Sequence, residues 1–270
     1  MQYDPIKRSL GSFFNASPLL RKLFYRLLDL LLLRTWHVKR AFEAWAKNKN
    51  SASILDAGMG FGQYSYFMAK RNAKFGIEGV DVKSEQVDDC TAFFGKIGQT
   101  NASFAIADLT KYTKENAYDL ILSVDVMEHI EEDVLVFKNF HQSMKQGGML
   151  LISTPSDQGG SDVHEHELEE GASFIDEHVR DGYGTSEITN KLNDAGFSKS
   201  EVHYSYGWPG KISWKISMKY PILLLNISKI FFLILPFYYL ITFPFATIFN
   251  YLDVNLKHKT GTGLIVKAWK

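Results

Sequence analysis

The ten residues Ser53-Ile54-Leu55-Asp56-Ala57-Gly58-Met59-Gly60-Phe61-Gly62 constrain this chain more than any others. A short apolar stretch ends in an acid, and three glycines follow at alternate positions. Glycine lets a backbone turn with φ > 0 and come within contact distance of a ligand. A helical pattern follows at once in Tyr64-Ser65-Tyr66-Phe67-Met68-Ala69-Lys70. Strand, glycine loop and helix build a nucleotide-type pocket at the carboxyl ends of the strands in an open α/β sheet. Taken alone, the segment also reads as a plain strand-to-helix turn with glycines for close packing.

The spacing narrows the ligand. A dinucleotide loop reads G-x-G-x-x-G, which after Gly58 and Gly60 requires glycine at position 63. Position 63 is Gln63, and the third glycine is Gly62. Asp56 stands two residues before the first glycine, where a carboxylate repels a pyrophosphate and suits a ligand carrying an ammonium or sulfonium charge. The pattern resembles motif I of the class I S-adenosylmethionine-dependent methyltransferases, in particular their small-molecule and quinone-type members with a domain of the 11/12 kind.

The later strands fall where that resemblance requires them. Phe75-Gly76-Ile77-Glu78-Gly79-Val80-Asp81 reads as a second strand whose terminal acid lies 19 residues past Gly62. A carboxylate there can accept both ribose hydroxyls. Ser103-Phe104-Ala105-Ile106-Ala107-Asp108-Leu109 reads as a third strand with its own acid. The resemblance implies that Asp108 accepts from the adenine amino group and that the N–H of Leu109 meets a ring nitrogen. It also places Tyr64, Val82 and Ser123 among the cofactor contacts. The fourth strand, Tyr118-Asp119-Leu120-Ile121-Leu122-Ser123-Val124-Asp125, runs into Val126-Met127-Glu128-His129-Ile130. That stretch is similar to the family's D-x-I-x-x-x-x-x-x-E-H-I pattern, which frames the methionine end of the cofactor. A glycine-led fifth strand spans 147–155, a sixth about 200–206 and a seventh 263–269. The implied fold is α/β: a Rossmann-like seven-stranded, mostly parallel sheet with an antiparallel last strand. Helical patterns fit 19–47, 63–71, 84–98, 131–145 and 184–195.

Charge and cysteine content set limits. Lys+Arg and Asp+Glu both number 30, which argues against a nucleic-acid enzyme relying on a broad basic face. The single cysteine, Cys90, allows no internal disulfide and makes reducing cytoplasm the default. Residues 1–34 do not read as a secretory signal, because Arg21, Lys22, Arg26, Asp29 and Arg34 interrupt the apolar run.

Four segments are expected. Residues 1–48 form a basic amphipathic helical segment, 49–208 the S-adenosylmethionine-binding core, 209–258 an apolar helical insertion and 259–270 the final strand. The insertion holds a 23-residue uncharged run, Ile230 to Leu252. One bilayer crossing needs about 20 apolar residues and two need about 40. Both ends of the insertion must rejoin one sheet, so a single span is excluded and the run is too short for two. Helical pieces broken near Pro236 or Pro244, packed beside the helix at 19–40, remain. They form either an interfacial hairpin, with Arg21, Lys22, Arg26 and Arg34 facing anionic lipid, or a lid over the pocket. The expected location is cytoplasmic, peripheral on the inner membrane face.

Methyl transfer relies on alignment, with a base where the acceptor must lose a proton. His178, in an H-V-R stretch that resembles the family's, is the first candidate, followed by His164 and His166. An H-x-H pair could hold metal, but no third ligand is evident, and none is expected. The expected function is methyl transfer from S-adenosylmethionine to a hydrophobic small molecule or lipid-linked acceptor, with O-methylation favoured and no nucleic-acid partner. A non-catalytic lipid- or partner-binding protein of the same fold is the alternative. An NAD-linked oxidoreductase is a lesser one, opposed by Gln63 and Asp56.

Overall fold

Strands form where the apolar runs fall: β1 (Ala52–Ala57), β2 (Phe75–Asp81), β3 (Ala102–Ile106), β4 (Tyr118–Val124), β5 (Met144–Pro155), β6 (Lys199–Ser205) and β7 (Gly263–Trp269). The structure is a computed structural model and describes residues 17–159 and 179–270. The seven strands make one sheet in the order β3-β2-β1-β4-β5-β7-β6. β1 to β5 pair in parallel, and β7 runs antiparallel to both β5 and β6. This is the Rossmann-like, mostly parallel sheet that the sequence implies.

Neighbouring strand residues point to opposite faces, and both faces are covered. Leu55, Ile121 and Leu150 pack with Phe137, Phe140, Tyr183 and Ile188 on one side. Ile54, Leu120 and Leu151 pack with Phe42, Met68, Phe93 and Phe94 on the other. This explains why these strands read as continuous apolar runs rather than alternating ones. Each fully buried side chain of this size contributes about 1.5–3 kcal/mol.

The helices are α1 (Pro18–Leu31), α2 (Leu33–Ala46), α3 (Gln63–Arg71), α4 (Ser84–Lys96), α5 (Asp133–Ser143), α6 (Thr185–Asp194), α7 (Trp208–Trp214), α8 (Tyr220–Ile227) and α9 (Leu235–Asn255). Ser17 starts α1 by accepting from the N–H of Leu20, with Pro18 in the first turn. The single helix expected over 19–47 divides at Leu32, whose backbone is extended. No Pro or Gly marks that point. The break seats Leu33, 2% exposed, against Gly210 of α7, where an added Cβ would lie 2.6 Å from the leucine.

The insertion leaves and rejoins the sheet at one register pair, Ser205 opposite Gly263. As expected, it consists of helical pieces with a break near Pro236, whereas Pro244 marks none. The chain is extended at Ser228, passes through a 3-10 turn at Lys229–Leu233, and enters α9 with Pro236 in the first turn. Pro is tolerated there because a first-turn N–H has no helical partner. Pro244 lies inside α9 and does not end it. No helix among the described residues is long and apolar enough to cross a membrane.

One buried carboxylate closes the neck of the insertion. Asp253, 0% exposed, accepts from the N–H groups of Tyr206 (3.1 Å) and Gly210 (3.0 Å). His37 of α2 lies 2.7 Å from its Oδ1 and His258 lies 3.2 Å from its Oδ2. Removing the carboxylate leaves the N–H groups of Tyr206 and Gly210 and the His37 ring without this partner, while His258 keeps Asp253 O at 2.9 Å. Asp253→Ala should therefore cost about 3 kcal/mol in urea denaturation and open residues 206–262 to limited proteolysis. An unchanged urea midpoint would show that the neck is held by packing alone.

Candidate active site at the strand ends

The loop between β1 and α3 is fixed from below and open above. The N–H groups of Gly58 and Met59 both donate to Val80 O, at 2.9 and 3.0 Å. Gly58 (φ 75°) tolerates no side chain, since a Cβ would collide with Val126. Gly60 also has positive φ (50°), yet a Cβ there would meet nothing within 4 Å. Its crowding limit is therefore not set by the protein, which leaves the backbone free to meet a ligand. Gly62 caps the start of α3.

Asp81 leans over that opening from the end of β2. Its Oδ2 accepts from the N–H of Gly60 (3.0 Å) and its Oδ1 from the N–H of Lys83 (2.9 Å). Asp56 sits differently. It is 2% exposed, and Ser65 Oγ of α3 donates to its Oδ2 at 2.5 Å. Burial pushes its carboxyl up to about 6, against the Ser65 hydrogen bonds, which pull it down.

The remaining sequence candidates are spread unevenly. Ser123 lies beside Ala57 in the β1–β4 pairing, and its Oγ is buried without a partner among the described residues. Tyr64 is buried, with its hydroxyl 3.3 Å from Thr35 Oγ1 of α2. β3 ends at Ile106, short of Asp108, which is exposed. Hydrogen bonds from Thr110 hold the Asp108 carboxyl below its ordinary range. The Leu109 side chain is packed in the core and Val82 is 62% exposed. His164, His166 and His178 lie outside the described residues. Val179 donates to Glu128 O (3.0 Å), and Arg180 donates to Ile130 O and pairs with Asp133.

A second group at the site escapes sequence reasoning. Arg34 of α2 pairs with Asp125, just past β4, and its N–H donates to the Tyr206 hydroxyl (3.1 Å). Its Nε is buried without a partner among the described residues. Asp125 and Tyr206 both adopt left-handed backbone, with φ 51° and 56°. Such strain costs roughly 1–3 kcal/mol per residue and gathers at functional sites. Glu128 is 1% exposed and accepts from Thr154 Oγ1 (3.0 Å); burial raises its carboxyl. Arg34 reads in the sequence as part of a basic surface. Nothing local indicates that it pairs beyond the end of β4, nor that Arg21, 3% exposed, is bonded to Asp89, Tyr25 and Phe61 O.

A parallel sheet with a glycine loop at the end of β1, an acid at the end of β2 and polar groups beyond β4 defines the class I methyltransferase architecture. Residues 48–202 match the family model of a methyltransferase domain, over more than half of the chain. The chain belongs to that family, the class I S-adenosylmethionine-dependent methyltransferases, whose cofactor is S-adenosylmethionine. Among curated relatives, it is 29% identical to (S)-coclaurine N-methyltransferase of Papaver somniferum over 54% of this chain and 39% of that one. It is 31% identical to phosphoethanolamine N-methyltransferase 1 of Triticum aestivum over 55% of this chain and 29% of that one. The chain thus matches well under half the length of these relatives. Phosphoethanolamine N-methyltransferase 2 of Haemonchus contortus, solved with S-adenosyl-L-methionine, superposes with a TM-score of 0.58 at 18% identity, over 86% of this chain and 52% of that one. A methyltransferase of Mesorhizobium loti gives 0.56 at 18% identity, over 88% and 100%. The residues present fit the cofactor: an open Gly60 face, a carboxylate bonded to the Gly60 N–H, and a buried hydroxyl at Ser123 without a partner among the described residues.

The Asp56 carboxyl gives a pH-dependent check on how the loop is supported. Its ordinary value is 3.8 and its folded value about 6. The folded state therefore keeps a proton that the unfolded chain releases, and the stability this provides is lost as pH rises from about 4 to 6. Asp56→Asn should remove that loss. Relative to the parent, its unfolding free energy should rise by up to about 3 kcal/mol between pH 4 and pH 7, measured by urea titration. Parallel curves for the two proteins would contradict the buried, raised carboxyl.

Proposed function

We propose that this chain transfers a methyl group from S-adenosylmethionine to a small molecule with an apolar body, at a nucleophilic nitrogen or oxygen. The observation that carries the reading is the loop open at Gly60 with Asp81 above it, in a chain of the methyltransferase family. In the proposed complex, Asp81 accepts from the ribose and the Gly60 backbone lies against the cofactor. Asp108 and the Leu109 N–H receive the adenine, with Val82 beside it. Ser123, Tyr64 and the Asp56 field favour the cationic methionine end. The bound cofactor supplies a methyl group activated by the sulfonium, so the chain's own residues chiefly align the acceptor.

The acceptor side is proposed to lie between Arg34, Asp125, Tyr206 and Glu128, beneath the segment 209–258. Nitrogen is favoured by two relatives whose names are N-methyltransferases, and carboxylates at Asp125 and Glu128 suit an amine. Oxygen is the second reading. It is favoured by a malonyl-[acyl-carrier protein] O-methyltransferase of Ilyobacter polytropus, 27% identical over 53% of both chains. Either acceptor must lose a proton. His178 is proposed as the base, because Val179 and Arg180 fix the chain that follows it onto the turn after β4. His164 and His166 are next in order.

The same reading places the protein on the cytoplasmic face of a membrane. Leu19, Leu23, Leu27 and Leu30 of α1 are 40–76% exposed along one stripe. Phe237, Leu240, Ile241, Phe245, Ile248 and Tyr251 of α9 are 57–76% exposed. Apolar surface on this scale marks an interaction site, and helices that do not cross a membrane can lie in its interface.

The test is mass spectrometry of amine, phenol and lipid acceptors after incubation with the enzyme and S-adenosylmethionine. One methyl group should be gained, on nitrogen first. His178→Ala should lower kcat by about 10² with cofactor affinity unchanged. An unchanged rate would return His178 to a structural role, and binding of NAD in place of S-adenosylmethionine would overturn the assignment.

A further inference from the structure

A cleft of about 460 Å3 lies between α1, α2 and α3, on the outer side of the glycine loop. Five cations line it: Lys22 and Arg26 of α1, Lys39 of α2, and Lys70 and Arg71 of α3. The only carboxylate among its lining residues is Asp29. This concentration is local, since the whole chain carries no formal net charge.

The carboxylates at hand are already engaged. Asp29 pairs with Lys39 through Oδ2 (2.5 Å) and accepts from Gln63 Nε2 through Oδ1 (2.7 Å). Arg71 pairs with Glu43 outside the cleft (2.8 Å). No ion pair among the described residues involves Lys22, Arg26 or Lys70. Lys70 is held over the Tyr66 ring, 5.8 Å from its centre, and Lys39 over the Phe67 ring at 4.3 Å. Three like charges line one concave, aromatic-floored site, and none of them has an ion-pair partner among the described residues. The chemistry that completes it is a compact dianion or monoanion, namely a phosphate.

The outer face of α1 indicates where that phosphate is carried. Leu23 and Leu27, 49% and 40% exposed, each follow a cleft cation directly in the chain, and Leu19 and Leu30 extend the stripe. A free phosphate ester makes no use of this apolar rim. A lipid does, with its headgroup in the cleft and its chains along the leucines. We propose that the α1–α2–α3 cleft binds the phosphate of an anionic phospholipid through Lys22, Arg26 and Lys70, which rests on the membrane-interface reading and gives it a specific headgroup site. Arg21 and Arg34, expected from the sequence to share this task, are paired with Asp89 and Asp125 and take no part.

The test is vesicle co-sedimentation of the full chain, using phosphatidylcholine alone and phosphatidylcholine mixed with phosphatidylglycerol. The parent should favour the anionic vesicles. Lys22→Glu with Arg26→Glu should lower anionic-vesicle affinity at least about tenfold while binding to neutral vesicles persists. Lys138→Glu with Lys259→Glu, an equal charge change outside the cleft, should leave the preference intact. Thermal melts and S-adenosylmethionine binding on each variant confirm the fold. Retained preference in the cleft variant overturns the site but leaves the interface reading standing, as does equal loss in the control pair. Binding to no vesicle of either kind overturns both. If glycerol 3-phosphate competes at the concentration of accessible lipid headgroup, a soluble ester is the occupant and the lipid assignment fails.

Discussion

Arg34, His37 and Arg40 recur every three residues along α2, and through them one helix face holds the catalytic end of the sheet and the insertion together. Arg34 meets Asp125 beyond β4, His37 meets Asp253 near the end of α9, and Arg40 donates to Val254 O and Asn255 Oδ1. A cation at the carboxyl end of α9 is also favoured by the helix dipole. The remaining tie runs through Tyr206, whose hydroxyl accepts from Arg34 while its N–H donates to Asp253. Losing α2 would therefore remove these ties together and leave those of Asp253 to Tyr206, Gly210 and His258 at the neck.

Two of the three non-glycine residues with left-handed backbone among the described residues, Asp125 and Tyr206, belong to this same set of contacts. Left-handed backbone in a non-glycine residue persists only where the surroundings over-determine it. Here an ion pair holds one residue, and buried hydrogen bonds hold the other. The helix preceding α2 is inverted relative to an ordinary surface helix. Its arginine and tyrosine point inward onto the glycine loop at Phe61 O, and its leucines point outward. Such a helix gains stability from polar contacts with the core and leaves its apolar face for something else.

Much of the core was legible because its signals are local. β7 at 263–269 and α3 at 63–71 coincide with their sequence patterns, both marked by glycine at the amino end. The shape of the glycine loop was legible for the same reason, and the place of Asp81 at the end of β2 because its spacing from the loop is short. What was not legible depends on residues distant in sequence. The break at Leu32 comes from packing on Gly210. In the insertion the break at 228–234 falls just before Pro236, as the sequence suggested, but Pro244, which suggested another, is accommodated within α9. Arg34 carries no motif at all, and its partners Asp125 and Tyr206 lie 91 and 172 residues away in the chain.

The most direct measurement is calorimetric titration of the full chain and of Asp81→Ala with S-adenosylmethionine, alongside NAD. Binding to the parent is expected in the micromolar range, about −8 kcal/mol. The variant should lose at least roughly 1–2 kcal/mol, since it leaves the ribose hydroxyls unpaired, and NAD should give no heat. Equal affinity in parent and variant, or binding of NAD alone, would contradict a cofactor seated over Gly60 beneath Asp81.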